Sequence, residues 1–148
     1  MEKFEEVQRF RQKWLWSILI TAIGASVYLS FIQEGISSMV FVLLISLPVL
    51  LLIYGAKLET LIEDGRLSYR FFPFHLKYRE VNLEEADLAV ESYSPIREFG
   101  GWGLRWRPGK LAFSVSGKNC IRIERENSRE LVIGTQKLEE AEGTLKKL

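Results

Sequence analysis

Cysteine and histidine occur once each in this 148-residue chain, as Cys120 and His75. The usual zinc sites built from those residue types therefore lack their ligands. A lone thiol suits a reducing compartment. Cys120 opens the Ile121 strand and reads as packing rather than as a nucleophile. His75 follows Pro73-Phe74 and reads as a surface or hydrogen-bonded turn residue. There is no Walker A pattern, no dinucleotide fingerprint and no Gly-x-Ser-x-Gly elbow. The carboxylate pairs Glu84-Glu85 and Glu139-Glu140 are sequence neighbours and read as solvated charge. With no assembled constellation, the sequence predicts no enzymatic activity, no cofactor and no metal. An excess of one charge is also missing. Twenty Lys and Arg against 19 Asp and Glu leave +1, which argues against a nucleic-acid partner.

Charge is instead distributed unevenly. Trp14 to Ala56 is 43 residues with one charged side chain, Glu34, whereas Lys57 to Leu148 is 92 residues with 31. These parts need different solvents, which excludes a fully soluble single domain. The uncharged runs 14–32 and 36–56 each suit one membrane crossing, since 19 residues of helix span roughly 28 Å. Together 14–56 predicts a two-helix transmembrane hairpin. Lys3, Arg9, Arg11 and Lys13 precede it, Lys57, Arg66 and Arg70 follow it, and the connecting turn has no basic residue. The positive-inside rule then puts both termini in the cytoplasm of a cytoplasmic (inner) membrane. Trp14, Trp16 and Tyr54 sit where interfacial aromatics belong. Signal-peptide cleavage is disfavoured, because Ala22-Ile-Gly24 is a poor site and a second span follows. Segment 1–13 carries Phe4, Val7, Phe10 and Trp14 at helical spacing, which suggests an interfacial helix entering the first span, the alternative being a frayed charged lead-in. Neither span holds an ionisable residue, which disfavours a transporter or pore. The small residues Ala22, Gly24, Ala25 and Ser26 are expected to pack the hairpin against itself.

From Lys57 onward short runs alternate. Strands are predicted at Leu58–Glu63, Leu67–Phe72, Leu76–Val81, Ala86–Tyr93, Leu111–Val115, Ile121–Glu124 and Leu131–Gly134. Asp64-Gly65 is a two-residue hairpin signal. Leu138, Ala141, Leu145 and Leu148 then recur at helical spacing, with Glu139 and Glu140 early and Lys146 and Lys147 late, as the helix dipole favours. Seven short antiparallel strands capped by a C-terminal helix make the plan of a pleckstrin-homology-like (PH-like) barrel over 57–148.

The stretches Glu6-Val-Gln-Arg-Phe-Arg-Gln12, Arg70-Phe-Phe-Pro-Phe-His75, Tyr93-Ser-Pro-Ile-Arg-Glu98, Gly100-Gly-Trp-Gly103 and Ile133-Gly-Thr-Gln136 resemble an uncharacterised family of bacterial two-pass membrane proteins. The soluble part of that family is similar to a bacterial pleckstrin-homology domain. The resemblance implies the same fold and membrane placement, and no activity.

The densest functional signal is Ser94 to Lys110, with four glycines, Phe99, Trp102, Trp106 and the cations Arg97, Arg105, Arg107 and Lys110. Trp and Arg are favoured at binding hot spots and membrane interfaces. The competing reading is a glycine-bent hairpin with packed tryptophans. An up-and-down meander of the first four strands would bring the Phe71-Phe72-Pro73-Phe74 turn, and the start of the Gly-Trp-Arg segment, toward an anionic leaflet. The turn Glu63-Asp64-Gly65-Arg66 is mostly acidic, so no phosphoinositide selectivity is expected. The expectation is a non-enzymatic, membrane-tethered binding module. It would act as scaffold or accessory subunit, in contact with the lipid bilayer and a protein partner; the alternatives are self-assembly into a homo-oligomer through edge strands or the small-residue patch of the first span, and a module contacting anionic lipid.

Overall fold

The computed structural model describes residues 3–84, 86–126 and 128–146. Glu85 of the first carboxylate pair, and Lys147 and Leu148 at the predicted helix end, lie outside them. The chain forms two compact units. One is Phe10–Ala56; the other joins Met1–Arg9 to Lys57–Leu148.

The first unit holds α1 (Lys13–Glu34) and α2 (Ile36–Gly55). Both are apolar on every face, and no residue of either is buried among the described residues. Such a helix needs an apolar solvent or a larger core. Each is long and apolar enough to cross a membrane. Gly35, at φ 83°, separates them, which a side chain would resist. Its N–H donates to the Phe31 carbonyl at 3.1 Å and its own carbonyl accepts from the Met39 N–H at 3.3 Å. It thus ends one helix and starts the next. The Trp16 indole N–H donates to the Phe10 carbonyl at 2.8 Å, and its ring meets Tyr54 edge-on at 6.1 Å. A Cβ on Gly24 would touch nothing within 4 Å. This corrects the expectation that the small residues serve close helix approach within the hairpin, at least at that position.

The second unit contains nine strands among the described residues. Phe4–Arg9 is β1, Lys57–Glu63 β2, Arg66–Phe72 β3 and Arg79–Asn82 β4. They form one antiparallel sheet in the order β1-β2-β3-β4. Asp87–Ser92 (β5), Gly103–Arg107 (β6), Lys110–Ser114 (β7), Asn119–Glu124 (β8) and Glu130–Thr135 (β9) form the other, in the order β5-β8-β9-β7-β6. The short helix α3 spans Pro95–Phe99, and α4 spans Leu138–Leu145. The predicted hairpin at Asp64-Gly65 is present, with φ of 50° and 72° as a type I′ turn requires.

The sheets meet through aromatic rings. Tyr69, Phe71 and His75 approach Phe113 at 5.1, 5.9 and 5.4 Å. Leu58, Ile62 and Leu67 join this core from one sheet, and Ile121, Ile123 and Ile133 from the other. Strand β9 is buried almost throughout because it is central in its sheet and covered on both faces. Its second face carries a smaller cluster of Tyr93, Phe99, Ala112, Cys120 and Val132, in which Phe99 comes from α3. The amphipathic α4 buries Ala141 and Thr144 and packs near β1, β5 and β8.

Three expectations need correction. Phe4–Arg9 is a strand, not an interfacial helix, and it belongs with the β unit rather than with the helices. Its helical spacing misleads because Val7 is 49% exposed, whereas the polar Glu6 and Gln8 point inward and are buried. Partners wait there. The Glu6 carboxylate accepts from the Thr135 hydroxyl at 2.7 Å and the Gln136 N–H at 2.8 Å, and the Gln8 amide donates to the Gly134 carbonyl at 2.7 Å. Next, the strands are not all antiparallel, because β7 and β9 run parallel. Finally, the meander stops after β4. Strand β5 pairs with β8 in the other sheet.

Gly134 sits where a Cβ would lie 2.9 Å from the Ser114 Cβ. Gly134→Ala is expected to destabilise the protein by about 1–3 kcal/mol through overpacking. Adding Ser114→Gly should recover part of that loss. Denaturant unfolding of the detergent-solubilised variants checks both statements.

Candidate functional site

The Ser94–Lys110 segment is ordered by its turn chemistry. Pro95 stands at the first helical position of α3, where its missing N–H is not needed. The Glu98 N–H donates to the Ser94 carbonyl at 2.9 Å. Gly100, left-handed at φ 75°, ends the helix, and the N–H groups of Gly100 and Gly101 bond the Ile96 and Pro95 carbonyls at 3.0 Å. Strand β6 then pairs with β7 from Gly103↔Ser114 to Arg107↔Lys110. Pro108 and Gly109 (φ 77°) make the two-residue turn between them.

Strand geometry sorts the candidate residues, since successive side chains point to opposite faces. Trp106 lies opposite Leu111 and is 65% exposed. The Arg129 guanidinium covers its ring at 5.5 Å. Arg105 and Arg107 point to the other face. The Arg105 Nε–H donates to the Trp102 carbonyl at 3.1 Å, and the Trp102 indole donates to the Gly117 carbonyl at 3.1 Å. Trp102 and Arg105 therefore brace the glycine turn. Arg97, Arg107 and Lys110, with Glu98, Phe99 and Pro108, line an open cleft of about 500 Å³ between α3 and the β6–β7 turn. So the segment is neither one packed hairpin nor one binding patch. It holds a structural brace, an exposed aromatic and a cationic cleft.

Charge in the cleft is partly used already. Lys110 pairs with Glu130 at 2.7 Å. Arg122 on β8 pairs with Glu130, with Glu91 at 2.5 Å and with Glu98 at 3.2 Å. Among the described residues, Arg97 and Arg107 have no ion-pair partner. Burial alone would raise the Glu130 pKa, but hydrogen bonds from Lys110 and Arg122 outweigh it and hold the carboxyl below its usual range. Burial likewise opposes the Arg122 charge, and its three carboxylates reverse the effect and raise its pKa. Sequence reading missed this network. Its members lie on α3, β5, β7, β8 and β9, and no local spacing joins them.

On the first sheet, Glu59 accepts from Arg70 Nε at 2.7 Å and from the Tyr78 hydroxyl at 2.8 Å, and pairs with Lys57 at 2.5 Å. The Arg70 guanidinium also lies 4.6 Å over the Tyr78 ring. Burial would raise the Glu59 pKa, and these donors lower it overall. Of the membrane-turn candidates, Phe71 is 2% exposed and belongs to the core. Phe72 is half-buried, and Phe74 is exposed and stacks on Phe71 at 5.7 Å. Because β5 leaves the first sheet, the meander argument for bringing the Gly-Trp-Arg segment to a leaflet loses its premise.

The single thiol and the single imidazole are apart. Cys120 is buried beneath α3, and burial pushes its thiol up to about 12. His75 packs on Phe113 on the opposite face of that sheet. Its pKa is lowered by burial and then by Arg79. Among the described residues, no group of three or more His, Cys, Asp or Glu is placed to hold a metal ion. Comparison with family models, curated proteins and solved structures gave no match.

The depressed Glu130 carboxyl sets a sign for acid stability. Its contribution is complete above the unfolded-chain value of about pH 4.3 and fades as pH falls through the lower folded value. Glu130→Gln should cost about 2 kcal/mol at neutral pH, because Arg122 loses a charged partner. It should also flatten the fall in stability below about pH 4. Equilibrium unfolding across pH 3–7 measures both.

Proposed function

We propose that the chain is a two-pass protein of the cytoplasmic membrane with both ends on the cytoplasmic side. Its β unit acts as a non-enzymatic binding module of PH-like type, serving as scaffold or accessory subunit in a membrane complex. The placement rests on the two apolar helices and the basic flanks. Two facing sheets and a C-terminal helix support the PH-like assignment, and the parallel β7–β9 pair departs from a plain antiparallel barrel. Phosphoinositide selectivity is not part of the reading, because the turn at Glu63–Arg66 is mostly acidic.

The observation that carries the binding role is Trp106. It is a large aromatic, 65% exposed, on a strand at the edge of its sheet, and its sequence neighbours Arg105 and Arg107 lie on the opposite face of that strand. An edge strand presents unpaired backbone groups, and an added strand supplies them with partners while side-chain pockets give selectivity. Arginines without carboxylate partners favour an acidic segment. The same edge supports the second reading, pairing with another copy of this chain.

Replacing Trp106 and Arg107 by Ala should reduce recovery of stoichiometric companions by about tenfold or more, as for hot-spot residues, with expression unchanged. Gentle detergent purification at native expression, with identification of companions and the particle mass, is the test. Unchanged recovery removes β6 from the reading. A particle of several copies and no companion moves the conclusion to self-assembly.

A further inference from the structure

The connection between β3 and β4, residues 73–78, is short and carries an unusual outward face. Phe74 is 62% exposed and Leu76 is 72% exposed. Neither is loose by construction. The Phe74 ring stacks on the buried Phe71 with the planes 6° apart, and the His75 N–H donates to the Phe71 carbonyl at 2.8 Å. The core itself thus presents the tip. Lys77 beside them is exposed and, among the described residues, has no ion-pair partner.

Register locates this loop. Phe72 is the last residue of β3 and pairs with Lys57, the first residue of β2, which in turn pairs with Arg9, the last residue of β1. Partners in an antiparallel ladder lie about 5 Å apart. Only Ala56 stands between Lys57 and the end of α2 at Gly55. By connectivity alone, both chain crossings into the apolar helices leave from the sheet end at which the loop begins. The strand β3 runs toward that end, and the loop turns there, with the His75 N–H closing on the Phe71 carbonyl at 2.8 Å. Arg9 and Lys77 add cationic charge there, and Arg11 and Lys13 follow Arg9 in sequence.

The geometry points to residues 73–78 as a lipid-dipping loop, with Phe74 and Leu76 entering the interface of an anionic bilayer and Lys77 meeting its headgroups. This rests on the reading that α1 and α2 span the membrane. A protein occupant is disfavoured by size. A stable partner needs about 800 Å² from each side, far more than two side chains offer. A tethered loop needs no such area, because covalent linkage to the spans gives it a high effective concentration at the bilayer and the association entropy is spent once. Interfacial aromatic and aliphatic side chains beside cations are what an anionic leaflet selects.

Spin labels test the proposal on the full chain in vesicles of phosphatidylethanolamine and phosphatidylglycerol. Single cysteines replace Leu76, Glu63 at the opposite end of β2, and Leu44 within α2. Native Cys120 is buried, with its thiol pushed up to about 12, and does not compete for label. Collision with oxygen over a water-soluble nickel chelate reports depth. The Leu76→Cys label is expected to show a several-fold higher oxygen-to-nickel ratio than the Glu63→Cys label, approaching that at Leu44→Cys. If labels at 76 and 63 are equally water-exposed while 44 is deep, the loop proposal is wrong and the spanning reading stands. If 44 is itself in water, the spanning reading falls and the loop proposal with it.

Discussion

Glu6 ties the first strand of the β unit to the last. Its buried carboxylate receives the Thr135 hydroxyl and the Gln136 amide, while Gln8 two residues on reaches the Gly134 carbonyl. A buried carboxylate without donors is costly, and one with two hydrogen bonds is held in place. That attachment keeps β1 on the edge of β2, and it has consequences well beyond the strand. The chain must leave β1 at Arg9 and rejoin the same sheet at Lys57. Both ends of the helical hairpin are thereby fixed to neighbouring strands. The β unit thus draws strands from both sides of the inserted helical hairpin.

The stretches that prompted the family resemblance take on a structural meaning in this light. Glu6 to Gln12 and Ile133 to Gln136 are bonded to each other, and Gly134 is small because Ser114 approaches it. Ser94 to Glu98 and Gly100 to Gly103 form a helix with its left-handed stop, braced by Trp102 and Arg105. Phe71 is core, and Phe74 stacks on it. Most of these residues hold the fold. Val7, Phe74 and Ile96 are the large apolar side chains these stretches leave exposed, and the exposed Trp106 and Leu76 lie outside them.

Two ionic groups organise the surfaces of the two sheets. Arg122 gathers Glu91, Glu98 and Glu130 and so secures α3 to the second sheet. Glu59 gathers Lys57, Arg70 and Tyr78 across the first. Each consumes charge that would otherwise seem free to bind a ligand. Lys110 is an example, since it is a binding candidate in the sequence and is engaged by Glu130. The uncompensated cations Arg97 and Arg107 become identifiable only after these pairs are subtracted.

The sequence by itself determined the two long apolar helices, the Asp64-Gly65 hairpin, seven of the strands and the C-terminal amphipathic helix. Each is written in a local period or a turn dipeptide, and local signals survive without knowledge of partners. Only the tertiary structure decided that Phe4–Arg9 is a strand, because two of its three buried positions are polar, and Glu6 finds its donors and Gln8 its acceptor on residues near the far end of the chain. Tertiary pairing also made β6 an edge strand out of a glycine-rich run, sent β5 to the second sheet and laid β7 parallel to β9. Pairing depends on which strand edge is open and which face finds its partner, and neither property belongs to any single segment.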